Sequence, residues 1–312
     1  MASETGPSAR ANQVVLPASG FILLAGLTFF WGANWPAMKI ALDEIPVWTF
    51  RTICLFAGGG GLLLLAKLSG QRLRVPRAEI RPLLLCALFN IIGWHLFSGY
   101  GVSNMEAGRA SIIAFTMPLW AALLGRPVLG EPLTARKLVG LALGMAGLAL
   151  LIGPDIGIVG RFPIGAACML GAAMTWGTGT VMVKRYAWSL STTVLVGWQL
   201  LAGAVPVTIG MFLIEGTPDL GGVSSAALLA TLYCIALPML FCHWAYFKVV
   251  RIFPASIAAI GTLAIPVVGV ISSALVLGEA IGLAEIAALA LVCSALAVVL
   301  LRPAAAAPAG AD

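Results

Sequence analysis

Two histidines are the only ionisable side chains that the sequence places in the middle of its long apolar runs, and each stands beside a tryptophan: Trp94-His95 and His243-Trp244. A histidine at that depth can hydrogen-bond a polar solute or a gate, or carry a proton near neutral pH. It can equally sit neutral against a backbone carbonyl between helices. Aromatic and polar stripes at helical spacing surround both. Asn90, Trp94 and Phe97 share one face with Tyr100 close by, and Met239, His243, Tyr246 and Phe247 share another. Such stripes are usually packing or an interface belt. A lipid-facing amide at Asn90 would be costly, however, so that face is expected to look inwards and to bring Trp94 with it. Aromatic walls suit apolar side chains and the faces of organic cations. No carboxylate joins them, since every Asp and Glu lies in a tail, in a loop or near a helix end. Proton-coupled carriers commonly use a buried acid whose pKa is raised by desolvation. Its lack points to uniport or exchange down a gradient, and to neutral or zwitterionic solutes over cations. Backbone carbonyls alone could still hold an ion and leave no trace in the sequence.

These residues need elements to position them, and the composition says which. Of 312 residues, 61% are hydrophobic and only 10% charged, against roughly a quarter charged in soluble domains. A helix needs about 20 apolar residues to cross a bilayer. Apolar runs predict ten spans, at 19–42, 46–67, 82–101, 109–129, 138–153, 163–183, 192–214, 226–248, 255–277 and 283–301. No cleavable leader is expected, and residues 1–18 and 302–312 read as polar or Ala/Pro-rich tails. Cysteines 54, 86, 168, 234, 242 and 293 lie inside spans without metal-site spacing, so they read as small packing residues. No metal and no cofactor is expected.

The second half repeats the first. Trp31-Gly32 with Lys39 recurs as Trp176-Gly177 with Lys184, and Ala110-Ser111-Ile112 recurs as Ala255-Ser256-Ile257. Pro118 stands thirteen residues before Glu131, as Pro266 does before Glu279, and each acid follows a glycine. The offset grows from 145 to 148, which implies three extra residues in the second copy. Five spans per copy is an odd number, so the copies must be inverted, and inverted repeats are the mark of secondary transporters. The basic residues agree. With a cytoplasmic N-terminus, fourteen Lys and Arg fall inside and only Lys39, Arg51, Arg109 and Arg161 outside. The net charge of +6 therefore reads as membrane topology; no basic stripe with interleaved aromatics points to nucleic acid.

The Trp-Gly near the end of helix one, the Ala-Ser before helix four, and the proline and Gly-Glu thirteen residues apart, all present twice, resemble the EamA-type carriers of the drug/metabolite transporter superfamily. Within it the chain looks most similar to the YddG-type exporters of amino acids, aromatic ones included. The resemblance implies an all-α integral membrane protein of ten helices in two inverted five-helix repeats, residues 19–153 and 163–301. Its cavity would be lined by helices three, four, eight and nine with parts of one and six. Asn90, Trp94, His95, Met117, Trp176, His243, Trp244 and Tyr246 are the expected substrate-binding residues; no catalytic or metal residue is expected. Trp31, Asn34, Pro118 and Pro266 are the expected gate and hinge, because an intrahelical proline removes a backbone hydrogen bond and offers a pivot. Gly140, Gly144 and Gly147 let another backbone approach closely, and Ala288, Val292 and Ala295 are a weaker version at the matching positions of helix ten; packing within the chain is favoured over dimerisation, so a monomer is expected to suffice.

The expected function is export or exchange of small metabolites, most plausibly amino acids, by alternating access in a bacterial cytoplasmic (inner) membrane with both termini cytoplasmic. The competing transport reading is an exporter of drugs or organic cations, proton-coupled or not. A membrane enzyme is disfavoured by the lack of HExxH, GxSxG or a clustered His/Asp/Glu set. A channel would differ by unsaturating flux.

Overall fold

The computed structural model describes residues 18–159, 163–252 and 255–300; the two tails and Arg161 lie outside them. The described residues form helices and turns with no strand among them. Eight helices are long and apolar enough to cross a membrane: α1 (Ser19–Leu42), α2 (Val47–Leu68), α3 (Arg77–Ser103), α4 (Ala107–Leu129), α5 (described as apolar over Ala135–Gly153), α6 (Ile164–Arg185), α7 (Thr192–Ile214) and α8 (apolar over Ser225–Tyr246). Two further apolar helices follow, α9 (Ala255–Leu277) and α10 (Leu283–Leu300).

The repeat is visible in the helix starts. Val47 of α2 matches Thr192 of α7 at an offset of 145, whereas Arg77 and Ala107 match Ser225 and Ala255 at 148. The extra three residues therefore enter along α7 and its following loop. This corrects the match of Ala110-Ser111 with Ala255-Ser256: Ala107 is the residue that begins α4 as Ala255 begins α9.

Several helices are irregular where the sequence dictates it. Ahead of Pro36, α1 breaks at Ala33, and ahead of Pro118, α4 breaks at Phe115 and Thr116, as expected where a proline nitrogen cannot donate. Pro266 instead lies within an unbroken α9. α3 and α8 each carry a π-helical stretch, Leu88–Gly93 and Ile235–Cys242, just before His95 and His243. Wide turns of this kind shift side-chain register and frequently mark functional sites.

The Trp-Gly pairs knit one half to the other. A Cβ on Gly32 would fall 2.5 Å from Val268 Cβ and 3.0 Å from Ile265 O of α9; one on Gly177 would fall 2.9 Å from Trp120 Cβ and from Ala121 N of α4. Each glycine thus lets the helix of one copy touch the proline turn of the other. Gly177→Ala is expected to force α6 off α4 and to cost about 1–3 kcal/mol, read as a lower apparent melting temperature in detergent, whereas Ala at the open Gly153 position should be neutral. The glycines of α5 lie against α10, where added Cβ atoms on Gly140 and Gly147 would meet Ala295 O at 3.1 Å and Ala288 O at 3.2 Å. That small-residue face is spent inside the chain.

Candidate functional site

α4 begins at one end of the bundle and finishes at the other, and its second segment, Met117–Leu129, forms one wall of a cavity of about 460 Å³. The wall opposite is α6, where Trp176, Thr180 and Lys184 follow one another at single-turn spacing. Tyr246 of α8 completes the apolar part with Met117 and Pro118. Glu131, Lys137 and Lys184 line the polar end. Lys137 Nζ lies 3.0 Å from Glu131 Oε2, and Lys184 Nζ lies 4.0 Å from Oε1. The hydrogen bond from Lys137 is the main influence holding the Glu131 carboxyl below its ordinary pKa, with slight burial working against it. The space therefore grades from an aromatic interior to an ionised mouth carrying two ammonium groups and one carboxylate.

Two aromatic clusters stand at the interior. Trp94 and Trp176 meet edge to face with ring centroids 5.0 Å apart. Trp31 lies edge-on to His243 at 5.7 Å and tilted against Tyr246 at 5.9 Å. Trp31 Nε1 and His243 Nδ1 converge on the carbonyl of Pro238, at 3.2 and 3.0 Å. A carbonyl only accepts, so Nδ1 carries a hydrogen and His243 is satisfied from within its own π turn. This is the backbone-carbonyl arrangement that the sequence left open as the alternative to a solute contact.

Of the other expected site residues, His95 is 8% exposed and its Nδ1 has no hydrogen-bond partner. Asn90 does not line the cavity: its Nδ2 donates to Gln199 Oε1 at 3.4 Å, and it is wedged against Gly179, where a Cβ would meet its Oδ1. Asn34 opens the second segment of α1 just past the break. Trp244 points elsewhere. It is 40% exposed, pairs with Phe241 at 5.9 Å and lies under the Lys248 ammonium at 4.7 Å. It is adjacent to His243 in sequence, but neighbouring residues on a helix point about a quarter-turn or more apart.

Arg51 is the ionisable group that the sequence reading missed. It is 4% exposed, one turn inside α2. Its Nε donates to His95 O at 2.8 Å and one terminal nitrogen donates to Ser98 Oγ at 2.9 Å, with Met38 Sδ at 3.0 Å. The histidines are thus not the sole charged or titratable residues in the interior.

The ends of the bundle differ. Where α3 turns into α4, Lys39 Nζ donates to Val102 O and Ser103 O at 3.1 and 3.3 Å. Glu279 accepts from Ala107 N and Gly108 N at 2.6 and 2.8 Å. The space beside Glu279, Arg109 and Glu285 is only about 10 Å³.

Helices of the two halves interlock beside a cavity with a charged mouth, an arrangement that fits a membrane carrier. The chain belongs to the EamA-like transporter family, whose model matches residues 18–153 and 163–301. It is 31% identical to the uncharacterized transporter YvbV of Bacillus subtilis over 89% of this chain and 90% of that one. It is 26% identical to YoaV, an uncharacterized transporter of the same organism, over 86% and 92%. A probable amino-acid metabolite efflux pump of Salmonella typhimurium is 25% identical over 83% and 87%. A solved crystal structure, 21% identical, superposes with a TM-score of 0.62 over 90% of this chain and 96% of that one, which shows the shared fold.

Proposed function

We propose that this transporter exchanges or exports amino acids, aromatic ones included, by alternating access of one central cavity. In this reading the chain crosses a bacterial cytoplasmic membrane ten times, as inverted units 19–153 and 163–301, with both termini cytoplasmic. The lysine-rich end, with Lys137 and Lys184, then faces the cytoplasm, where basic residues concentrate.

The observation that carries the reading is the cavity. Its 460 Å³ suits a small metabolite, at the lower part of the range of roughly 300–1,000 Å³ for ligand pockets. Trp176, Tyr246 and Met117 offer an apolar, aromatic seat, and the ionised mouth offers both signs of charge to a zwitterion. The printed description of the Salmonella relative as an amino-acid metabolite efflux pump points the same way. The carboxylate nearest the cavity, Glu131, is held by lysines at the mouth. It is poorly placed as a deep counter-charge for an organic cation, the rival cargo.

Counterflow of labelled amino acids in proteoliposomes, with and without a pH gradient, tests this. Saturable exchange indifferent to the gradient is expected. Exchange that requires the gradient would replace uniport or exchange by proton coupling, with His95 and His243 as first suspects. Counterflow of organic cations but of no amino acid would overturn the cargo.

A further inference from the structure

Five cations fall within fifteen residues where α2 passes into α3: Lys67, Arg72, Arg74, Arg77 and Arg81. The mate of this stretch, between α7 and α8, holds Glu215 and Asp219 and no cation. A charge bias across a bilayer asks only that cations lie on one side of it. It does not ask how they are arranged, and here all five are exposed and ordered against apolar surface.

The connecting loop is pinned to α7. Trp198 Nε1 donates to Leu73 O at 2.8 Å, and Ser191 Oγ donates to Gln71 Oε1. Leu73 packs with Trp198 against buried Leu63, Ala66 and Val194. Exposure alternates along the loop, so Leu73 and Val75 are partly covered while Arg72 and Arg74 stand out. α3 carries the charge onwards. Arg77, Arg81, Leu84 and Leu88 stand at i, i+4, i+7 and i+11, one face of a helix, and all four are exposed. Two guanidinium groups thus precede two leucines that are 52% and 49% exposed. At the end of α2, Lys67 stands beside the exposed Leu64 and Leu68. Among the described residues no acid lies within ion-pair distance of any of the five cations. The one acid of the stretch, Glu79, turns instead to the loop after α6, accepting from Ser189 N at 3.1 Å and Ser189 Oγ at 2.6 Å. The start of α3 adds its own partial positive charge, with no side chain capping it.

Charge at the end of a membrane helix, continued by an apolar face along it, is the outline of a phospholipid. We infer that this stretch is a seat for an anionic phospholipid, with its phosphate on the Arg77–Arg81 face and its acyl chains along Leu84 and Leu88. Lys67, Arg72 and Arg74 extend the same rim and draw anionic headgroups to it. Four of the five cations are arginines, whose planar fork pairs with phosphate oxygens two at a time. A zwitterionic headgroup brings no net charge to this rim, whereas a phosphodiester with an uncharged headgroup brings one negative charge. Clustered cations just outside a membrane helix attract such lipids over a short, salt-dependent range.

Such a seat needs only a chain embedded in a bilayer, so lipid retention and the counterflow described above fail separately. The purified full chain is titrated with dioleoylphosphatidylglycerol in detergent micelles, and retained lipid is counted by native mass spectrometry. Dioleoylphosphatidylcholine and glycerophosphoglycerol, the anionic headgroup without acyl chains, are the comparison probes. Phosphatidylglycerol is expected to bind about tenfold or more tightly than phosphatidylcholine, as several cations at an anionic headgroup imply. Arg77→Gln and Arg81→Gln should each weaken it about fivefold. Arg126→Gln removes an exposed cation from the last turn of α4, outside the seat, and should stay within about twofold of the parent because screening confines the effect. Equal retention of the two lipids would overturn the seat, since only acyl contact would remain. An equal loss in all three variants would overturn it too, as diffuse attraction to charge. Glycerophosphoglycerol binding as tightly as the lipid would replace it by a site for a soluble phosphate ester.

Discussion

Trp176→Ala is expected to lower amino-acid counterflow by about ten- to a hundredfold, in a protein that still purifies folded. Trp176 forms a wall of the cavity and abuts Trp94 edge to face, so truncation removes the solute contact proposed above and loosens the ring behind it. An aromatic pair of this geometry is worth about 0.5–1.5 kcal/mol beyond burial, and truncating a well-packed aromatic contact commonly costs 2 kcal/mol or more in binding. Each 1.4 kcal/mol is about tenfold. Trp176→Phe should retain most of the transport. Trp244→Ala is the matched control, since it deletes an equal ring from a residue 40% exposed beneath Lys248. Initial counterflow rates over a range of solute concentrations distinguish the two. Near-normal transport by the Trp176 variant, with loss in the Trp244 variant, would place the solute on the other side of α8.

The two tryptophans show what the sequence could and could not convey. The paired Trp-Gly, Pro and Gly-Glu elements were legible because they occur twice, and repetition separates signal from composition. The role of the glycine after each tryptophan is a cross-half contact, which no single-helix pattern contains. Facing was harder. The π turns before His95 and His243 break the regular helical spacing on which stripe arguments depend, and nothing in the sequence announces the one in α3. Asn90 was expected to face inwards with Trp94 towards a solute, but a polar side chain between helices has two ways to be placed, and here it packs against α6 and Gln199. The cavity mouth was read only as topology, because Glu131, Lys137 and Lys184 count equally as charges in loops until the helices bring them together.

Arg51 is the larger omission, and it carries the largest expected effect on stability. A basic residue one turn into a membrane helix is ordinarily expected to stretch its head group back to water. Arg51 instead turns inwards and ties α2 to α3 through His95 O and Ser98 Oγ, with Met38 of α1 beside it. Arg51→Ala should therefore leave unpaired one lone pair of the Ser98 hydroxyl, which still donates to His95 O, and one lone pair of that buried carbonyl, and open a void. Unsatisfied buried groups cost about 1–3 kcal/mol each, and the void left by a large buried side chain adds to this. A loss of about 3 kcal/mol or more is expected, seen as a marked fall in apparent melting temperature. Arg51→Lys should recover only part of it, because an ammonium lacks the planar fork that reaches two acceptors in fixed directions. The solute affinity of the surviving folded fraction should be unchanged, since the guanidinium is absent from the cavity lining. A variant that melts with the parent but binds solute weakly would make Arg51 part of the solute path. Its neighbours argue for bracing: Met38 precedes Lys39, and Ser98 lies one turn before Val102, whose carbonyl accepts from Lys39 Nζ. From α2 the buried arginine braces the contact between α1 and α3.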